Sequence, residues 1–159
     1  MSGDVEILTA QFRDADDIAK LSYQVGKMHD EALPEYFKKT NLNNHQQIVR
    51  ELILDEKVEV FKAVKDDKIC GFLFLFVPVK PRGGYVHPLT GCVLNLGVDE
   101  ACRGGGIGTK LMRATEKFLY DKGIYAIDLS VFKFNEKAHR FYEKLGYQEL
   151  EINMHKVLK

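Results

Sequence analysis

The chain has 159 residues, 45% apolar and 29% charged, with 23 basic against 23 acidic side chains and a formal net charge of zero. That length carries a buried core without staples and fits a single domain over 1–159. The charge balance argues against a dedicated nucleic-acid or membrane-surface binder.

From the N-terminus, Val5 to Ala10 alternate as a short strand, and MSGDVEILTA lacks the basic and apolar regions of a signal peptide. Residues 13–29 space Ile18, Leu21, Val25 and Met28 as one helical face, with Asp14, Asp16 and Asp17 at its positive end. Pro34 breaks the pattern into a loop over 33–43. A second helix follows over 44–56, with Ile48, Leu52 and Ile53 predicted to face inward. Strands over 58–64 and 68–79 flank Asp66-Asp67, a two-residue hairpin turn. The long apolar run of the second strand suits either a homodimer surface or a buried central strand. Two prolines and three glycines make 80–91 a loop before the strand 92–98. Ile107, Leu111, Thr115, Phe118 and Leu119 mark a helix closed by Gly123, followed by a strand over 125–132, a helix over 135–147 and a closing strand over 148–158. The order β-α-α-β-β-β-α-β-α-β predicts an α/β domain with a mixed central sheet, antiparallel over 58–98 and joined by a parallel crossover from 92–98 to 125–132.

Cys70, Cys92 and Cys102 form no C-x-x-C pair, and no His or Cys pair sits at ligand spacing. This reads as free thiols in a reducing cytoplasm and no metal site. No apolar run approaches the ~20 residues that span a bilayer, so no membrane association is expected.

The stretch CRGGGIGTKLM (102–112) places four glycines at the mouth of a helix. The first N–H groups of a helix lack internal partners, the helix dipole adds positive potential there, and glycine lets backbone approach an anion closely. A tight turn without ligand is the plain structural alternative. Two phosphate motifs fail on spacing. Gly108-Thr109-Lys110 does not supply the Gly-Lys-Ser/Thr ending of a P-loop, and a G-x-G-x-x-G run from Gly104 or Gly106 meets Thr109 or Leu111 at its last position.

What fits is R-x-x-G-x-G, from Arg103 to Gly108, preceded by LNLGV and followed by a helix. About 27 residues later, NEKAHRFYEKLGY fits N-x-x-A-x-x-F-Y-x-x-x-G-Y at every named position. Together, over about 94–147, these resemble the two central motifs of the GNAT (Gcn5-related N-acetyltransferase) superfamily. Asp99-Glu100 stands where that family often has a proline.

The resemblance implies an acetyl-CoA-dependent N-acetyltransferase without a metal. Its pantetheine arm would pair with backbone at Leu96 and Val98, Gly97 keeping one face of the strand slim, much as an added strand would. The pyrophosphate would lie on N–H groups of Arg103, Gly104, Gly105, Gly106, Ile107, Gly108 and Thr109, helped by the Arg103 side chain and the Thr109 hydroxyl. Asn135 would meet the pantetheine amides, although it is also a natural N-cap. Lys133, Lys137 and Arg140 are candidates for the 3′-phosphate, or simply solvated surface charges. Tyr142 would be the general acid for the departing thiolate. A neutral amine would attack the thioester directly, with a backbone N–H near Val98 stabilising the oxyanion. Cys92 has no histidine partner to make it a nucleophile. The strand 92–98 carries no carboxylate for a general base, which leaves His29, Glu31, Glu35 and His87 as candidates. With Tyr36, Phe37 and Tyr85 as aromatic walls, they mark an acceptor site for a small-molecule or peptide amine, outside any nucleic-acid role. A CoA-binding sensor without turnover and a scaffold with a bare glycine turn remain as alternatives.

Overall fold

The computed structural model describes residues 3–80, 84, 86, 87 and 89–158, without the Val79 side chain. Asp66 and Asp67 both take positive φ (49° and 59°), the geometry of a two-residue turn that matches the twist of the strands it joins. The turn fixes β2 (Val58–Lys65) against β3 (Lys68–Val79) in register from Lys65↔Lys68 to Val58↔Phe76. β1 (Glu6–Thr9) adds antiparallel to the outer edge of β2. β4 (Thr90–Val98) adds antiparallel to β3, and β5 (Ile127–Leu129) lies parallel to β4. The sheet order is β1-β2-β3-β4-β5.

β3 is the central strand. Phe72, Leu73, Phe74 and Leu75 are each at most 2% exposed, because helices cover both faces. Phe72 and Phe74 meet Ile18, Leu21 and Val49 of α1 (Ala15–Ala32) and α2 (Leu42–Leu54) on one face. Leu73 and Leu75 meet Leu111, Met112 and Leu119 of α3 (Ile107–Asp121) on the other. Alternate side chains of a strand point to opposite faces, so a strand covered twice reads as an unbroken apolar run. α4 (Glu136–Lys144) joins the α3 layer through Phe141 and Tyr142.

The element order agrees with the sequence pattern up to α4, with small shifts of boundary. Ile48, predicted to face inward, is 48% exposed, and Val49 is fully buried in its place. The expected closing strand over 148–158 does not form: the segment has no regular structure, and Leu150, Ile152 and Met154 are more than three-quarters exposed. Alternation alone makes no strand without a ladder to join, and β5 is three residues long where 125–132 suggested eight. Side chains tether the segment instead, Glu149 lying 2.8 Å from His139 and His155 stacking edge-on with Tyr36.

Candidate active site

β4 changes partners halfway along. Its pairing with β3 skips Leu94, since Phe74 faces Asn95 while Leu75 faces Val93. This extra residue is a bulge, which bends the strand and reverses the phase of its backbone groups. Below it, β4 pairs with β5 at Gly91, Cys92 and Val93, and the Gly91 N–H donates to the Ala126 carbonyl. Above it, the Asp99 N–H donates to the Cys70 carbonyl, which makes Gly71↔Val98 a non-hydrogen-bonded pair. By alternation the N–H and C=O groups of Leu96 and Val98 point away from β3, towards where β5 would continue. β5 has ended at Leu129, so β4 and the chain beyond β5 leave a gap with a bare strand edge on one side. The Val98 carbonyl on that edge accepts a 3.2 Å hydrogen bond from Arg103 Nε, which holds the arginine at the mouth of the gap.

The glycine loop closes the same end. Gly104 and Gly106 have φ of 85° and 72°, a left-handed backbone that side chains other than glycine rarely adopt. A Cβ at either would meet nothing within 4 Å, so packing does not demand these glycines. α3 begins without a side-chain cap and without an acidic residue in its first turn. Its leading amides are therefore free to receive an anion. Ile107 is buried in the core and Gly108 lies against Phe141, where a Cβ would come within 3.1 Å of the ring, so both can serve a ligand only through backbone. Thr109 lies in that same first turn.

α4 brings two further residues named from the sequence. Asn135 caps the helix by accepting the Ala138 N–H at 3.1 Å, which leaves its amide NH₂ free to donate elsewhere. Tyr142 packs between Phe141 and Tyr147, and burial pushes its hydroxyl up to about 12. The phenol is therefore protonated at neutral pH and serves as a donor. Complete proton transfer to a thiolate, whose acid lies near ~8.5, would be uphill. A hydrogen bond to the developing charge is the role this environment favours. Burial, and then the charge of Asp128, raise the Cys92 thiol, which removes it further from nucleophilic use.

The acceptor candidates separate. His29 and Tyr36 share one aromatic cluster: the His29 ring lies 5.8, 5.3 and 5.6 Å from those of Phe37, Phe132 and Phe134, and Tyr36 contacts Phe37 and Phe132. Glu31 is exposed beside Lys27, and Glu35 is exposed too. His87 is exposed, with no ring or hydrogen-bond contact among the described residues, and Tyr85 lies outside them. Phe132 and Phe134 are the site residues that sequence reasoning missed. The spacing in VFKFNE that puts both on one side was their only signal. A half-buried network positions the loop that carries Tyr36 and Phe37. His45 joins Ser22 Oγ at 2.8 Å and Thr40 Oγ1 at 2.6 Å, Asp30 accepts the Thr40 N–H, and burial keeps the His45 imidazole below its usual range.

The mixed sheet thus bares one strand at a bulge, beside a glycine-led helix with no side-chain cap and a half-buried tyrosine. A family model described as Acetyltransferase (GNAT) family matches residues 23–147, and the chain belongs to that family. A mycothiol acetyltransferase of Streptosporangium roseum is 36% identical over 81 residues, which is 51% of this chain and 24% of that protein. The chain thus spans about a quarter of that relative's length. Among solved structures, a tetramutant of the BH1408 protein from Bacillus halodurans superimposes with a TM-score of 0.87 at 28% identity, over 96% of this chain and 99% of that one. An aminoglycoside N-acetyltransferase solved with CoA has a TM-score of 0.80 at 14% identity over 100% and 97% of the two chains, a likeness of fold alone.

Proposed function

We propose that this chain is an acetyl-CoA-dependent N-acetyltransferase for a primary amine of a small molecule or peptide, working by direct attack in a ternary complex. The observation that carries the reading is the edge of β4 at Leu96 and Val98, left without a partner strand, which runs to the amides of Gly104 to Thr109, none of them bonded among the described residues. Acetyl-CoA supplies the acetyl group as an activated thioester. Leu96 and Val98 offer alternating donors and acceptors to the pantetheine amides. The amides from Gly104 to Thr109 bind the pyrophosphate, with the Arg103 guanidinium neutralising it. Asn135 offers its free amide hydrogens. The Val98 N–H stabilises negative charge on the carbonyl oxygen, and the Tyr142 hydroxyl donates to the departing sulfur. No carboxylate stands on β4 to take a proton from the amine, so that group must come from another element.

Thermal unfolding with acetyl-CoA, ATP and NAD, followed by thiol release against an amine panel, tests the reading. At about 100 times its dissociation constant, acetyl-CoA should add about 2.7 kcal/mol of stability, and a suitable amine should release free CoA. Stabilisation without thiol release would identify a sensor, and no response to acetyl-CoA a scaffold. Tyr142→Phe should slow turnover by about 100-fold with cofactor affinity unchanged. Equal turnover would remove Tyr142 from the chemistry.

A further inference from the structure

α1 crosses the gap between β4 and the chain beyond β5. Val25 lies so close to β4 that a Cβ on Gly97 would come within 2.8 Å of its Cγ2. One turn further along the same helix face, His29 reaches the other side of the gap and packs against Phe132 and Phe134, which follow β5. Tyr142 belongs to the opposite layer, with α3. The phenol and the imidazole therefore lie on opposite faces of the sheet.

The imidazole is also fixed in its bonding. His29 Nδ1 lies 2.9 Å from the Val25 carbonyl oxygen, which can only accept. Nδ1 must carry the hydrogen, so in the neutral ring Nε2 holds the free lone pair. Nε2 has no hydrogen-bond partner among the described residues, and no described buried polar atom is left unpaired, so Nε2 is open to solvent. Three aromatic rings hold the imidazole plane in place.

Resting on the acetyltransferase reading, we propose that His29 is the base of this site: its Nε2 takes the proton that the acceptor amine must lose. The amine nitrogen bonds to the acetyl carbon and gives one proton to His29 Nε2. The carbon–sulfur bond breaks, its electron pair stays on sulfur with the Tyr142 hydroxyl donating a hydrogen bond to it, and the thiolate takes a proton from solvent. His29 gives its proton back to solvent, so one amine and one thioester become one amide and one thiol. The other titratable groups around the imidazole are Asp30, engaged with Thr40, Lys133 between the two phenylalanines, and Tyr36 and His155 at the outer edge of the cluster.

Two measurements test this on the intact chain. Nitrogen-15 correlation spectra of labelled histidines, with His29 assigned through His29→Gln, should show the neutral ring protonated on Nδ1. Protonation on Nε2 would overturn the proposal without any acceptor being needed. Thiol release with phenethylamine, putrescine and a glycyl peptide, followed from pH 5 to 8 where histidines titrate, should show an acid limb in the unaltered protein. In His29→Gln that limb should vanish and kcat/KM at pH 8 should fall by about 100-fold, with acetyl-CoA affinity unchanged. A retained limb would overturn the role of His29 alone. No thiol release from the unaltered protein with any of these amines would overturn the acetyltransferase reading, and His29's part with it.

Discussion

Two helices begin in opposite ways. Ahead of α1, a 3-10 turn over Phe12–Asp14 gives its Phe12 carbonyl to the Ala15 N–H, Asp16 and Asp17 fill the first turn of α1, and Lys62 reaches Asp14 at 2.7 Å, with both side chains nearly buried. α3 begins on Gly106 with no cap, no acid and open space around the glycines. Both ends carry the same unsatisfied amides and the same dipole. The first is answered from within the chain and ties a helix to the sheet; the second is left for something outside the chain. β4 repeats the contrast, paired on both sides below Leu94 and on one side above it.

The largest effect should come from closing the open helix end. Gly106→Asp puts a negative charge and a side chain with φ of 72° at the loop, and acetyl-CoA affinity by calorimetry should fall more than about 100-fold. Unchanged affinity would remove the loop from binding. Opening the closed end should cost stability instead. Burial alone would raise the Asp14 carboxyl, but the Lys62 hydrogen bond, the Gln11 N–H and the Lys62 charge outweigh it and hold Asp14 below the usual carboxylate range. A depressed carboxylate stabilises the fold above the pH at which unfolded aspartates ionise, about 3.9, and that stability is lost as pH falls through the folded value. Lys62→Met should therefore cost about 2–3 kcal/mol in urea unfolding at pH 7, and the deficit should narrow at pH 3. A deficit equal at both pH values would point to lost packing. Gly97→Ala should cost about 1–3 kcal/mol, since its Cβ would fall 2.5 Å from Cε1 of the fully buried Phe72. An unaltered melting temperature would mean that Phe72 and Val25 do not pack closely on β4 at Gly97.

The parts legible in the sequence were those set by local chemistry: the Asp66-Asp67 turn, the α3 face from Ile107 to Leu119, the Asn135 cap and the glycine loop. Each depends on neighbours within a few residues. The bulge at Leu94 left no mark, because a skipped pairing exists only relative to Phe74 and Leu75 on another strand. The cluster around His29 draws on α1, the following loop and the exit of β5, and only folding unites them. The closing strand over 148–158 failed for the converse reason, an alternating pattern with no ladder to join. Tyr142 was named by its motif, but the burial that pushes its hydroxyl up to about 12 came from packing against Phe141 and Tyr147.

Amide hydrogen exchange, resolved by residue and measured with and without CoA, reads the two halves of β4 directly. The Gly91 amide, already bonded to Ala126, should be slow in both states, while the amides of Leu96, Val98 and 104–109 should become protected only when CoA is present. Equal exchange at Leu96 and Val98 with saturating CoA would mean that the bare edge of β4 is not where the ligand lies.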